Sequence, residues 1–220
     1  MVKRLFDIIL SIFAIVVLAP IILFATLGIK LSSKGPVFYK AKRTGKNGIP
    51  FTMYKFRSMN ISTESKSAIT GANDSRIFSF GNFLRKSKID ELPQLFNVLK
   101  GEMSIVGPRP EDIRIVENYY TDKQYETLSV MPGLASPGSI FNYTHGDTYI
   151  GEMDAEREYI EKLLPVKLNI ELYYVKNRSL TYDFKIILRT IITIIQILFG
   201  EKNFGYPIEY YEIIQTEKKT

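Results

Sequence analysis

The 220-residue chain contains no cysteine, no tryptophan and a single histidine, His145. Without cysteine there is no disulfide framework, no thiolate zinc site and no thiol nucleophile. One histidine excludes a multi-histidine metal centre and argues against a Ser-His-Asp triad. Any chemistry falls to carboxylates, hydroxyls, lysine and arginine. There is no internal repeat, heptad array, P-loop or GxGxxG run. Charged residues make up 24% and apolar residues 45% of the chain, ordinary values for a globular protein. They exclude a disordered chain, a collagen-like repeat and a multi-spanning membrane protein. The length suits one domain with a real core.

From Ile8 through Ile29 no residue is charged. As a helix this stretch reaches roughly 33 Å, enough to cross a bilayer core. Pro20 removes a backbone hydrogen bond and predicts a kink at Ala19-Pro20. Lys3 and Arg4 precede the segment, and Lys30, Lys34, Lys40, Lys42, Arg43 and Lys46 follow it. Positive charge on both flanks suits a re-entrant helix with both ends on the cytoplasmic side, while a single kinked span stays open. Residues 1–60 hold ten basic residues against Asp7 alone, a net of +9 within a total of +6, so the rest sums to −3. An anionic membrane surface accounts for that basic quarter. Two other readings compete: a non-catalytic membrane scaffold, and a nucleic-acid binder, against which stand the missing Cys/His finger and RNP-type signature.

Val37–Ala41 and Phe51–Phe56 read as strands joined by Thr44-Gly45-Lys46-Asn47-Gly48, a hairpin. Residues 60–76 are rich in Ser, Thr, Asn and Gly and read as a loop. Leu92, Leu95, Phe96 and Leu99 predict a helix with one buried face, ended by Gly101, with Pro93 in its first turn. Asp90 and Glu91 then sit at the helix N-terminus. Routine capping explains them as well as catalysis does. Met103–Val106 reads as a strand, and the Gly107-Pro108-Arg109-Pro110 turn aims Arg109 either at a phosphate or into a structural ion pair. Glu111–Glu126 is helix-compatible, and Met131–Tyr143 reads as a binding or connecting loop, with His145 beyond it an incidental loop residue. Glu152–Lys176 and Asp183–Phe199 read as helices, the second at a membrane interface or in the core.

In this order the motifs Lys3-Arg4-Leu5-Phe6-Asp7, Tyr54-Lys55-Phe56-Arg57-Ser58-Met59, the run from Asp90 through Gly101 into Met103–Pro110, Pro132-Gly133-Leu134 and Leu172–Asn177 resemble the bacterial sugar transferases, monotopic polyprenol-phosphate phosphoglycosyl transferases of the small form. The 90–110 block carries most of the specificity.

The resemblance implies an α+β fold with a re-entrant membrane helix over residues 1–30, a cytoplasmic catalytic domain over 31–200 with short helices at the membrane interface, and a C-terminal tail over 201–220. It implies transfer of a sugar phosphate from a UDP-sugar to undecaprenyl phosphate, with release of UMP, on the cytoplasmic face of the bacterial inner membrane. Asp90 would be the nucleophile and Glu91 its partner, both near a Mg²⁺ ion. Arg85, Arg109 and Lys55 would bind phosphates. The helix N-terminus is expected to keep Asp90 ionised. Partners are the UDP-sugar, the lipid phosphate and anionic phospholipid, not nucleic acid; homo-oligomerisation stays open. The chain departs from the resemblance at Ala19-Pro20, where Ser-Pro is usual, and in the Ala135–Ser139 stretch, which lacks the usual Gly-Trp.

Overall fold

The computed structural model describes residues 2–61, 75–151 and 154–217. Two helices open the chain, α1 (Val2–Val17) and α2 (Ala19–Ser32), bent by 61° at Leu18. Pro20 lies in the first turn of α2, where its missing N–H costs nothing. Among the described residues no single helix is long and apolar enough to cross a membrane; the bent pair together meets that test by length and composition.

The opening motif does more than flank an apolar segment. Lys3 pairs with Asp183 at 2.6 Å. Arg4 donates to the carbonyls of Val98 and Leu99 at the end of a later helix, the first of which also accepts from Gly101 N. Asp7, 3% exposed, accepts from Ser104 Oγ and Ile105 N, both at 3.0 Å. Lys3 and Arg4, expected as the positive flank of the apolar segment, also dock α1 onto the body of the protein. Lys30, Lys34, Lys40, Lys42 and Lys46 remain exposed.

The hairpin forms as expected from β1 (Phe38–Thr44) and β2 (Pro50–Phe56), antiparallel with Tyr39 opposite Lys55. Its turn uses the left-handed region at Asn47 (φ 56°) and Gly48 (φ 78°), which explains the Asn-Gly step. Most of the expected 60–76 loop lies outside the described residues. Next come α3 (Ser79–Lys86), a 3-10 turn over Ile89–Glu91 and α4 (Gln94–Lys100), closed by Gly101 at φ 83°. The buried face of α4 differs from the expected one. Phe96 is 43% exposed, whereas Gln94, Leu95, Asn97 and Val98 are buried. Asn97 is inside because its amide stands in for a missing strand. It donates to Thr52 O and accepts from Tyr54 N, along β2, and also donates to Glu102 Oε2.

The Met131–Tyr143 segment is not a loop. It forms β4 (Gly133–Ala135), parallel to β3 (Ser104–Val106), then α7 (Pro137–Tyr149). Its Gly, Pro and Ser serve packing and capping. A Cβ on Gly133 would lie 2.0 Å from Gly107 N, so the two backbones touch only because both residues lack side chains. Ser136 caps α7 by accepting from Ser139 N, and Pro137 occupies its first turn. His145 accordingly sits on a helix, its ring stacked against those of Phe141 and Tyr206.

Between β3 and β4 the expected Glu111–Glu126 helix is two short ones, α5 (Ile113–Tyr119) and α6 (Asp122–Tyr125), because Thr121 starts a new capping box with Gln124. After α7 come α8 (Ala155–Glu158) and α9 (Leu164–Asn177). A widened π turn over Tyr159–Leu163 joins them, absorbing Pro165 without a clash against the preceding carbonyl. Helix α10 (Leu180–Leu198) buries Asp183 and Ile186 while Phe184, Leu188, Ile191, Ile192, Ile195 and Leu198 stay exposed. The 201–220 stretch carries α11 (Ile208–Glu217), whose fully buried Glu209 pairs with Arg189 and accepts from Tyr182.

The Gly107–Gly133 contact yields a stability prediction. Gly133→Ala overpacks two backbones and is expected to cost about 2 kcal/mol or more, read as a Tm lower by several degrees in detergent.

Candidate active site

Asp90 and Glu91 occupy the 3-10 turn between α3 and α4, and both are buried. Lys88, just before the turn, has a left-handed backbone at φ 56°, which swings the chain so that both carboxylates face inward. Leu92 and Pro93 continue in helical conformation into α4. Gln94 therefore falls one turn beyond Asp90 on the same side.

Three elements converge on Glu91. Strand β2 alternates Phe51, Met53 and Lys55 on one face; the first two enter the core and Lys55 reaches Glu91 Oε1 at 3.0 Å. The Pro108-Arg109-Pro110 loop supplies Arg109, whose Nη1 donates to Glu91 Oε2 at 2.8 Å and whose Nη2 donates to Oε1. Helix α7 supplies Tyr143, whose hydroxyl donates to Oε2 at 3.3 Å. Burial opposes ionisation of Glu91, but the Arg109 and Lys55 charges outweigh it and hold the carboxyl well below the usual range.

Asp90 is different. Its Oδ1 is buried with no hydrogen-bond partner among the described residues. Burial pushes its carboxyl up, while Lys55, Lys88 and Arg85 pull the other way. The helix N-terminus, expected to keep Asp90 ionised, thus acts within a contest between desolvation, which pushes the carboxyl up, and neighbouring cations. Arg85 is on the last turn of α3, close enough to act on Asp90 electrostatically.

The site also contains residues the sequence reading did not single out. Lys88 Nζ lies 3.8 Å from the Tyr143 ring centroid. Gln94 is fully buried with both amide atoms unpartnered. Glu171 of α9 accepts from Arg109 N at 3.2 Å and from Ser136 Oγ at 2.6 Å, tying the arginine loop to the start of α7. Burial lifts its carboxyl to about 7. Spacing could have flagged Gln94, four residues after Asp90. Nothing local marks Tyr143 or Glu171, which only the tertiary fold brings in. Ala19 and Pro20 lie at the helix bend and take no part in this cluster.

Asp90 fits a divalent cation, since an orphaned buried carboxylate oxygen is the kind of ligand that Mg²⁺ takes alongside phosphate oxygens. Glu91 fits less well, because both its oxygens already accept from Arg109 and from Lys55 or Tyr143. No group of three or more His, Cys, Asp or Glu able to hold a metal occurs among the described residues. What the site offers is one free carboxylate, one saturated carboxylate and a ring of cations, an arrangement for displacement at a phosphoryl group.

The family model described as "Bacterial sugar transferase" matches residues 1–197. The chain belongs to the bacterial sugar transferase family. It is 38% identical over 201 residues to a UDP-glucose:undecaprenyl-phosphate glucose-1-phosphate transferase of Xanthomonas campestris pv. campestris, covering 88% of this chain and 38% of the relative. It is 37% identical over 197 residues to a UDP-N-acetylgalactosamine-undecaprenyl-phosphate N-acetylgalactosaminephosphotransferase of Aeromonas hydrophila, covering 88% of this chain and 44% of the relative. With an exopolysaccharide production protein of Rhizobium leguminosarum bv. phaseoli it is 38% identical over 200 residues, 87% of this chain and 94% of the relative. The chain thus spans about two fifths of the first two relatives and nearly all of the third.

The Glu171 carboxyl gives a pH prediction. Its folded value, about 7, lies above the ordinary 4.5, so its stabilising contribution is full below 4.5 and is lost as pH rises through 7. Glu171→Gln keeps the acceptor for Arg109 N and removes the titration. Its Tm relative to wild type is expected to climb as pH is raised from about 5 to about 8. Parallel pH profiles for the two proteins would contradict this.

Proposed function

We propose that this protein transfers a sugar phosphate from a UDP-sugar to undecaprenyl phosphate and releases UMP. The observation that carries the reading is the division of labour in the dyad: Glu91 is saturated by Arg109, Lys55 and Tyr143, while Asp90 Oδ1 is free. The names of the relatives supply the substrate classes, two of them naming undecaprenyl phosphate with a UDP-sugar.

In this reading an Asp90 oxygen attacks the β-phosphorus of the UDP-sugar. A bond forms from that oxygen to phosphorus as the bond from phosphorus to the bridging oxygen breaks, and UMP leaves with that oxygen. A phosphate oxygen of undecaprenyl phosphate then attacks the same phosphorus and displaces Asp90, which regains its charge. Asp90 is the nucleophile because its oxygen is uncommitted. Glu91 holds Arg109 and Lys55 in fixed positions, and these cations and Arg85 face the anionic phosphates. Mg²⁺, bound through Asp90 and substrate oxygens, would supply charge neutralisation at the phosphates. Glu171 anchors the Arg109 backbone, so the guanidinium does not have to be ordered during the reaction.

A membrane-bound acceptor calls for a membrane-bound enzyme. The exposed apolar residues of α1 and α2, among them Ile9, Phe13, Val17, Leu23, Phe24 and Leu27, support insertion as a re-entrant pair. The 61° bend, with Lys30 and Lys34 beyond it, supports both ends lying on the cytoplasmic side of the inner membrane. The apolar face of α10 suits the interface.

The test is a screen of the detergent-solubilised full chain for UMP release across UDP-sugars, with undecaprenyl phosphate and Mg²⁺. At least one sugar is expected to give UMP, and Asp90→Asn to lower turnover by a factor on the order of a thousand or more. Full activity in Asp90→Asn would rule out its role as nucleophile.

A further inference from the structure

Two non-glycine residues among those described have a left-handed backbone, Asn47 and Lys88, both at φ 56°. Asn47 has its reason in the hairpin turn. Lys88 has its reason in the end of α3: it follows the C-cap Ser87, its N–H donates to Arg85 O, and a left-handed residue there, most often glycine, closes the helix. What stands out is the residue type, since a lysine at this helix end brings a cation to the start of the dyad's turn where glycine would bring none.

What the conformation achieves is the placement of one ammonium. Lys88 Nζ rests 3.8 Å from the centroid of the Tyr143 ring. The charged groups around it are Asp90, Glu91, Arg109 and Lys55, and burial lowers its own pKa. None of the carboxylates pairs with it. Glu91 is taken by Arg109, Lys55 and Tyr143. Asp90 Oδ1 also stays unpartnered. Among the described residues Lys88 Nζ therefore rests against an aromatic face, with no side-chain or backbone hydrogen-bond acceptor for its N–H donors. Lys55 and Arg109, by contrast, are held by Glu91 before any substrate arrives. A partly buried ammonium beside the dyad, with no acceptor of its own, is suited to an anionic ligand.

We propose that Lys88 is a binding residue for the diphosphate of the nucleoside diphosphate sugar, with the Tyr143 ring as its seat while the site is empty. The inference rests on the functional reading above and adds a residue to it. Lys88 is two residues before Asp90, so a phosphate held by its ammonium is held beside the attacking oxygen. Tyr143 couples the two parts of the site, since its ring carries Lys88 and its hydroxyl donates to Glu91.

The test compares wild type, Lys88→Met and Lys88→Gly as full chains in detergent. Equilibrium binding of UDP is measured by calorimetry, alongside donor KM and Tm. Lys88→Met is expected to weaken UDP binding roughly tenfold to a hundredfold, the loss that follows removal of a charge-assisted hydrogen bond. Lys88→Gly is the decisive variant. It relieves the left-handed backbone, so Tm is expected to stay level or rise while UDP affinity falls as in Lys88→Met. UDP affinity and donor KM unchanged in either variant would overturn the proposal, and so would a Tm that falls together with affinity in Lys88→Gly, which marks a structural role. A wild-type chain that neither binds UDP nor releases UMP from any UDP-sugar would instead overturn the functional reading, and the Lys88 proposal with it.

Discussion

The Glu91 carboxylate accepts hydrogen bonds from side chains that arrive on β2, on the Pro-Arg-Pro loop and on α7. Each of those segments is itself held by a specific contact. Asn97 fixes the edge of β2, the Gly107–Gly133 contact fixes the loop that follows β3, and Ser136 fixes the start of α7. A buried carboxylate with this many donors is stable as a charge, and removing Arg109, which supplies two of them, would leave it with a single cation. The saturation of Glu91 also explains why Asp90, its neighbour in the chain, is left without a partner.

The N-terminal pair is part of the same construction. Asp7 binds Ser104 and Ile105, at the strand that leads into the arginine loop, and Arg4 binds the end of α4, the helix that begins beside the dyad. A segment whose composition reads as membrane-seeking thus carries polar residues that lock it to the site. In the proposed function this fixes the distance between the apolar surface and Asp90, which a lipid-phosphate acceptor requires. The basic first quarter then divides in two. Lys3, Arg4, Arg43, Lys55 and Arg57 are engaged with partners in the protein, and Lys30, Lys34, Lys40, Lys42 and Lys46 lie on its surface.

The sequence was most legible where local physics decides. The Asn-Gly turn, Gly101 as helix stop and the break near Pro20 follow from backbone preference, and all appear close to their expected places. Periodicity misled at Phe96, because a buried Asn97 serving β2 rotates α4 away from its most apolar face. Met131–Tyr143 was misread because glycine and serine carry no periodic signal. Whether they mark a loop or a tight packing contact depends on partners far away in the chain, here Gly107 and Glu171. The motif block brought Asp90, Glu91 and Arg109 into view, and Lys55 and Arg85 with them. Tyr143 and Glu171 were invisible, because their positions are set by α7 and α9 folding back over the loop.

The central claim is that Asp90 is left uncommitted so that it can carry the phosphosugar. The most direct measurement is intact-protein and peptide mass spectrometry of the chain incubated with a UDP-sugar that supports turnover, without undecaprenyl phosphate. The account predicts a mass gain equal to one sugar phosphate, located on the peptide that holds Asp90, absent in Asp90→Asn and discharged when the lipid phosphate is added. An unmodified Asp90 peptide under conditions that trap the intermediate, in a protein that turns over normally once acceptor is supplied, would contradict it.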